Sequence, residues 1–347
     1  MKKELILHIG MSKTGTTALQ KKLLKNREAL IDDGICYVKT GLGSGGAHHP
    51  FAKAMNGKNV DQLFSELHDE ISRSSCSKFI VSSELLERRR STAWLTLVKS
   101  LPNTSIRVCV YLRPQDDVIT SMYNELVKKH ACSLPFSEYI LNAGRLNLLN
   151  YQEYLSNLEG IFGQENLIVR PAVSNALVDG DITADFLFHA APTKISMQSN
   201  KSEIYNSSTS ATVSHAMARI NANLTEDIDH LSQYKKATRL SKILDKVIAN
   251  TEQPVGGYFE SLDQHEAFVA NYRLSNRWVE QRYWDDKPWL SLADGMKPVQ
   301  HLDNSILPEQ ALEEVLSIAQ LKAKGNHEAQ EALIAGVWST LIRYDLL

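Results

Sequence analysis

The sequence predicts an α/β protein of three layers, α/β/α, with a central parallel sheet and a helical C-terminal elaboration. Three observations predict it. Short apolar runs of strand length alternate with stretches of helical periodicity, the pattern of a parallel sheet with crossover helices. The runs and helices are punctuated by glycine and proline, as at Gly34 and Pro114. Beyond about residue 190 the pattern turns mainly helical, with polar loops between.

Taken in order, "ELILHIG" reads as the first strand and "TTALQKKLLKNREALIDDG" as one helix closed by Gly34. "ICYVK" is a second strand. It leads into "TGLGSGGAHHPF", whose four glycines predict a mobile loop. "VDQLFSELHDEISRS" is helical, "KFIVSSE" is a third strand and "STAWLTLVKSL" a further helix. "SIRVCVYLR" is a fourth strand that Pro114 turns into the helix "DDVITSMYNELVKKH", and "ENLIVRP" is a fifth strand. The expected organisation is a single domain over residues 1–347. Residues 1–190 form its α/β nucleotide-binding core and 191–347 its mainly helical part.

Bulk properties narrow the classes of function. Hydrophobic residues make up 43% of the chain and charged residues 22%, ordinary values for a globular protein. The net charge of −2 gives no support for a nucleic-acid or membrane-surface protein. No apolar run approaches the roughly 20 residues of a membrane span. The four cysteines form no C-x-x-C pair, and Cys36 and Cys109 fall in strand-like runs. Buried free thiols in a reducing compartment, hence a cytoplasmic location, are the expectation. The eleven histidines show no metal-ligand spacing, and no metal site is expected.

Chemistry concentrates in "HIGMSKTGTT". A strand running through a glycine turn into a helix points backbone N–H groups and a positive helix end at an anion. Gly10 and Gly15 keep the spacing of the G-x-x-x-x-G-K-[ST] phosphate loop, but Thr16 stands at the lysine position, Thr17 at the hydroxyl position, and Lys13 lies inside the loop. The glycines would permit positive φ and close backbone approach, while Thr14, Thr16 and Thr17 offer hydroxyls. A triphosphatase would also end another strand in an aspartate for Mg²⁺. Here the strands end in Ser82, Ser83 and Glu84, or in Arg113, which repels a cation and suits a second phosphate. Strand C-terminal ends are where open α/β sheets bind ligands, so Arg113 and the Lys13 loop are expected to face one crevice. Asp116 and Asp117 are expected to serve the N-terminus of the helix after Arg113.

The pairing of "HIGMSKTGTTALQ" with "YLRPQDDVITSMYNE" resembles the sulfotransferases that use 3′-phosphoadenosine 5′-phosphosulfate (PAPS), in their bacterial form. Weaker likeness covers "GGAHHPFAKAM", "IVSSEL", "LIVRPAVSNALVDGDITADFL", "NSSTSATVSHAM" and "LSNRWVEQRYW". The resemblance implies a fold like that of the P-loop nucleoside triphosphatases. It places Ser12, Lys13, Thr14, Gly15, Thr16 and Thr17 on the 5′-phosphosulfate, and Arg113 and Ser121 on the 3′-phosphate. It makes Lys13 catalytic, set against the bridging oxygen where charge develops as sulfuryl leaves. PAPS is then co-substrate, 3′,5′-ADP the product, and no metal is obligatory.

A general base for the acceptor is expected among His48, His49 and Glu84, with the histidines favoured because imidazole titrates near neutrality. The Lys-x-His pair of the phenol and steroid sulfotransferases is absent, and Ala18 stands where that branch has tryptophan. The acceptor, a carbohydrate or small molecule by family habit, is expected to sit against "GLGSGGAHHPF" and helices after residue 190. Two other readings stay open: a nucleoside or small-molecule kinase with a degenerate phosphate loop, and a non-catalytic nucleotide-binding protein. "ERRRS" is expected to be a solvated helix face, and "QEALIAGVWSTLIRYDLL" a C-terminal helix packed on its own domain.

Overall fold

Strands β1 (Lys3–Gly10), β2 (Ile35–Tyr37), β3 (Lys78–Ser82), β4 (Thr104–Leu112) and β5 (Leu167–Pro171) are all parallel and lie in the order β2-β3-β1-β4-β5. This is the computed structural model, which describes residues 3–10, 16–130, 132–143, 149–195, 211, 214, 215, 218 and 257–290. β1 is the central strand, buried from Leu5 to Gly10, which explains its apolar composition. The register sets His8 beside Ser82 of β3 on one side and Cys109 of β4 on the other.

Eleven helices are found among the described residues: α1 (Thr16–Lys25), α2 (Arg27–Asp32), α3 (His49–Ala54), α4 (Val60–Arg73), α5 (Ser91–Ser100), α6 (Gln115–Lys129), α7 (Phe136–Ala143), α8 (Tyr151–Phe162), α9 (Ile182–His189), α10 (Leu262–Ala270) and α11 (Arg273–Tyr283). Alternate strand residues feed two cores. Leu5, Leu7, Ile9, Phe79, Val81, Val108 and Val110 pack with Phe64, Trp94, Leu155 and Val279 of α4, α5, α8 and α11. Ile6, Ile80, Cys109 and Tyr111 pack on the other face with Leu19 and Leu23 of α1, Leu30 of α2 and Phe186 of α9. Sheet and two helical layers match the predicted architecture.

Four details differ from expectation. The helix read as continuous through residues 16–34 breaks at Asn26, whose side chain donates to the Lys22 carbonyl at 2.8 Å. That local bond competes with helix propagation. Gly34 then reverses the chain at φ +76°, as expected.

The glycine-rich stretch after β2 is pinned rather than mobile. Glu70 of α4 accepts from Lys39 N (2.7 Å), Thr40 N (2.8 Å) and Thr40 Oγ1 (2.7 Å), and the buried Tyr37 hydroxyl donates to the Gly46 carbonyl. A Cβ on Gly41, at φ +67°, would stand 2.5 Å from Phe51 Cβ, so this glycine allows a close approach, not motion.

"ERRRS" is not a solvated helix face. Glu84–Arg88 is a short 3₁₀ turn, Glu87 is buried, and Arg89 Nη1 reaches under α3 to the Ala52 carbonyl at 2.7 Å.

The chain also divides otherwise than near residue 190. One unit comprises Met1–Val118, Leu146–Asn206 and Tyr272–Leu292, and the other Ile119–Arg145, Ser207–Asn271 and Ala293–Leu347. Helix α11 belongs with the sheet because Arg282 and Tyr283 bond Glu159 of α8, Trp284 Nε1 donates to the Val169 carbonyl at 2.9 Å, and Gln115 and Asn276 exchange amide hydrogen bonds. In the second unit, Phe136, Tyr123, Tyr258 and Phe259 form an aromatic core.

Cys36, Cys76 and Cys109 are buried free thiols and Cys132 is a half-buried one, in line with the sequence. No helix among the described residues is long and apolar enough to cross a membrane. The C-terminal segment read as a helix lies outside the described residues.

Candidate functional site

In the order β2-β3-β1-β4-β5 the chain leaves β1 toward one edge of the sheet and leaves β4 toward the other. The switch point therefore falls between β1 and β4, where open α/β sheets place their ligands. Gly10 is paired with Tyr111, so the two strands end together. One leads directly into residues 11–15 and the other, two residues after Tyr111, into Arg113. Ser12, Lys13, Thr14 and Gly15 lie outside the described residues. Thr16 is buried as the first residue of α1, and Thr17 follows it half-buried.

Gly10 has its own requirement. A Cβ there would come 1.9 Å from Thr16 Cγ2, an impossible contact. The N-terminus of α1 thus folds back onto the end of β1 so closely that no side chain fits between them. The expected positive φ is not what selects this glycine, which is absent from the positive-φ residues. Close approach alone does.

Arg113 carries a half-buried guanidinium whose Nε donates to Asp117 Oδ2 at 2.9 Å, and the Tyr151 hydroxyl holds its carbonyl at 2.6 Å. Asp117, expected only to serve the helix N-terminus, also orients this arginine. Ser121 lies on α6, in the second unit.

The three candidate bases separate clearly. His48 is fully buried. Its Nε2 donates to the Val38 carbonyl at 2.8 Å, and its Nδ1 accepts from Ser82 N at 3.1 Å. Burial lowers its pKa to about 4. With both nitrogens committed to backbone, His48 has no lone pair for an acceptor proton, and its candidacy is withdrawn. It staples the loop after β2 to the end of β3.

His49 opens α3 and is 37% exposed at its side chain. Its Nδ1 lies 2.8 Å from Ser83 Oγ, and its Nε2 lies 3.7 Å from Oε1 of Glu84. The other carboxylate oxygen, Oε2, accepts from Thr16 Oγ1 at 3.0 Å. Glu84 is therefore neither a simple helix cap nor the partner of Arg88, which pairs with Glu87. Ser83 caps the 3₁₀ turn, its Oγ accepting from Leu85 N at 3.2 Å. The arrangement joins the half-exposed imidazole and carboxylate to the hydroxyl of buried Thr16, the first residue of α1. Such an arrangement can take a proton at His49 Nε2 and stabilise the resulting imidazolium by the adjacent carboxylate.

Beneath this arrangement runs a buried polar network that the sequence reading passed over. Ser82 Oγ lies 2.7 Å from His8 Nδ1 and accepts from Gln20 Nε2 at 3.2 Å. His8, Ser82 and Gln20 are all buried. The available signal was a lone histidine inside "LILHIG", polar at a position where a fully buried strand has none to spare.

Comparison with protein-family models, with curated proteins and with solved structures finds no match to this chain.

Proposed function

We propose that the chain is a PAPS-dependent sulfotransferase acting on a hydroxyl or amine of a carbohydrate or small molecule. The single observation that carries this reading is the Gly10–Tyr111 register. It delivers the phosphate-loop sequence and Arg113 to adjacent strand ends at the sheet's switch point. A lysine and an arginine that follow neighbouring strand ends in the sequence would suit a nucleotide with anions on both sides of its ribose. Lys13, with Ser12, Thr14, Gly15, Thr16 and Thr17, takes the 5′ side.

In the proposed reaction the acceptor oxygen or nitrogen attacks sulfur in line as its proton passes to His49 or Glu84. The S–O bond to the 5′-phosphate breaks, and 3′,5′-ADP leaves with the charge that Lys13 stabilises. One proton is released to solvent for each turnover. The His49–Glu84 pair lies beside Thr16, at the N-terminus of the helix assigned to the 5′ end, which supports a base at the end of the nucleotide where sulfuryl is transferred.

A thermal-shift comparison of 3′,5′-ADP, ADP and AMP, with and without Mg²⁺, tests the reading. Saturation at a hundredfold over Kd stabilises by about 2.7 kcal/mol. The expected result is that 3′,5′-ADP alone does this without metal. Stabilisation by ADP only with Mg²⁺ would instead make the chain a kinase.

A further inference from the structure

Arg113 belongs to a closed ring of hydrogen bonds that returns through α11. Its carbonyl accepts from the Tyr151 hydroxyl at 2.6 Å. Tyr151 is the first residue of α8, and the N–H of the next residue, Gln152, donates to Ser275 Oγ at 3.0 Å. Beside Ser275 on α11, Asn276 meets Gln115, the first residue of α6 and two beyond Arg113. Gln115 Nε2 donates to Asn276 Oδ1 at 2.6 Å, and Asn276 Nδ2 donates back to Gln115 Oε1 at 3.0 Å. From Asn276 the path thus runs through Gln115 to Arg113, through Tyr151 to Gln152, and through Ser275 back to Asn276. All its members lie in one unit of the chain.

The chemistry of the amide pair allows one arrangement. The Leu149 carbonyl can only accept, so the end of the Gln115 amide 3.2 Å from it is the nitrogen. Asn276 must then turn its nitrogen to Gln115 Oε1 and its oxygen to Gln115 Nε2. Gln115 is 2% exposed and Asn276 1%, so each amide depends on the other to satisfy its polar atoms. An apolar pair of similar shape would pack here at little cost in stability, but it would lack direction. Two reciprocal bonds fix the first turn of α6 against α11, and Arg113 is joined to that turn by Pro114, whose φ is locked. Asp117, in the same turn, holds Arg113 Nε at 2.9 Å, so the guanidinium takes its direction from the turn that Asn276 fixes. We propose that Asn276 is a positioning residue for Arg113, fixing through Gln115 the turn that aims the guanidinium at the 3′-phosphate of the nucleotide. The inference rests on the sulfotransferase reading above, and it gives α11 a task at the nucleotide's 3′ end. Asn276 acts through Arg113 and not on the nucleotide itself.

A double-mutant cycle tests this. Affinities of 3′,5′-ADP and 5′-AMP are measured by calorimetry for the wild type, Asn276→Leu, Arg113→Ala and the two combined. We expect Asn276→Leu to weaken 3′,5′-ADP about tenfold, no more than Arg113→Ala does, and to leave 5′-AMP unchanged. In the Arg113→Ala background Asn276→Leu should change neither affinity further, because a residue that acts through Arg113 has nothing left to act on. Wild-type affinity for 3′,5′-ADP in Asn276→Leu overturns the proposal, as does an equal loss on both nucleotides or an additive loss in the combined variant. If Asn276→Leu does not fold, Gln115→Met with Asn276→Leu replaces it in the cycle, since that pair strands neither amide. The pair should unfold at a urea concentration near that of the wild type and still show the tenfold loss. A wild type that binds 3′,5′-ADP no tighter than 5′-AMP removes the sulfotransferase reading instead. The positioning of Arg113 is then read from hydrogen exchange of its Nε–H in ¹⁵N-arginine-labelled protein, which should be faster in Gln115→Met with Asn276→Leu than in the wild type. Unchanged exchange overturns the proposal.

Discussion

Thr16 Oγ1 donates to Glu84 Oε2 at 3.0 Å, bonding the first residue of α1 to a side chain 68 positions later at the end of β3. Glu84 thereby links the N-terminus of α1 to His49. His49→Ala is expected to lower kcat about 10²–10⁴-fold with 3′,5′-ADP affinity unchanged. Glu84→Gln keeps an acceptor for Thr16 and should lower kcat with little effect on nucleotide affinity. Whichever variant loses more turnover marks the base. Wild-type turnover in both would show that neither moves the acceptor proton.

Lys13→Ala should abolish turnover and weaken both 3′,5′-ADP and 5′-AMP, because in the proposed reaction the charge it stabilises stays on the 5′-phosphate of the departing nucleotide. Arg113→Ala should weaken 3′,5′-ADP about ten- to a hundredfold and leave 5′-AMP unaffected, as the loss of a charge-assisted bond to the 3′-phosphate requires. Calorimetric titration of the two nucleotides into each variant separates these outcomes. An Arg113→Ala protein that binds both as the wild type does would remove the 3′ clamp.

The space over Gly10 gives a compensation test. Gly10→Ala drives a methyl to 1.9 Å from Thr16 Cγ2, and overpacking of this kind costs about 1–3 kcal/mol. Thr16→Ser deletes that Cγ2 and keeps the hydroxyl on Glu84. The double variant should recover most of the stability lost by Gly10→Ala in urea unfolding. If Thr16→Ser restores nothing, the α1 N-terminus is not seated on β1 as described.

Five strands in a parallel sheet were legible because each is a short apolar run bounded by glycine, proline or a helical period, and burial on both faces demands such runs. Arg113 and Glu84 were legible as charged residues at strand exits, where the apolar requirement stops. The division of labour between His48 and His49 was not. The two are identical and adjacent in sequence, and only the burial of the first beneath Val38 and Ser82 separates them. The pinned loop after β2 was misread for a related reason. Its glycines signal freedom locally, while the restraint comes from Glu70, some thirty positions further on. His8 was hidden because a polar residue in a strand has meaning only once its neighbours Ser82, Gln20 and Gly10 are known.

Acid should destabilise the protein through its buried histidines. Burial depresses the folded-state pKa of His48 to about 4 and of His8 to about 3. An unfolded chain takes up these protons near pH 6.5. Below that pH the unfolded state binds more protons, so stability is complete above about 6.5 and falls as pH drops toward the folded-state values. Each histidine contributes a slope of up to about 1.4 kcal/mol per pH unit in that window. His48→Gln should flatten the slope between pH 6 and 4.5 by about one such increment, read from urea midpoints. It should leave kcat at pH 7.5 near the wild-type value, since His48 carries no acceptor proton.

A second buried polar centre fixes the far side of the same sheet face. Asp185 of α9 is fully buried and takes Arg170 in a two-pronged pair (Nε to Oδ1 at 3.0 Å, Nη2 to Oδ2 at 2.7 Å), with the Tyr111 hydroxyl on Oδ1 at 2.9 Å. Burial alone would raise the Asp185 pKa, but the bonds from Arg170 and Tyr111 outweigh it and hold the carboxyl below its usual range. Its contribution is therefore present above the ordinary carboxylate pKa and is lost as pH falls through the lowered value. Asp185→Ala leaves Arg170 without its partner and should cost about 3–5 kcal/mol. Because a buried ion pair is offset by its own desolvation, replacing both members by apolar residues should cost much less. The pair Arg170→Met with Asp185→Leu is then expected to unfold at a higher urea concentration than Asp185→Ala alone. If the double variant is as unstable as the single, the loss comes from packing around α9 and not from a stranded guanidinium.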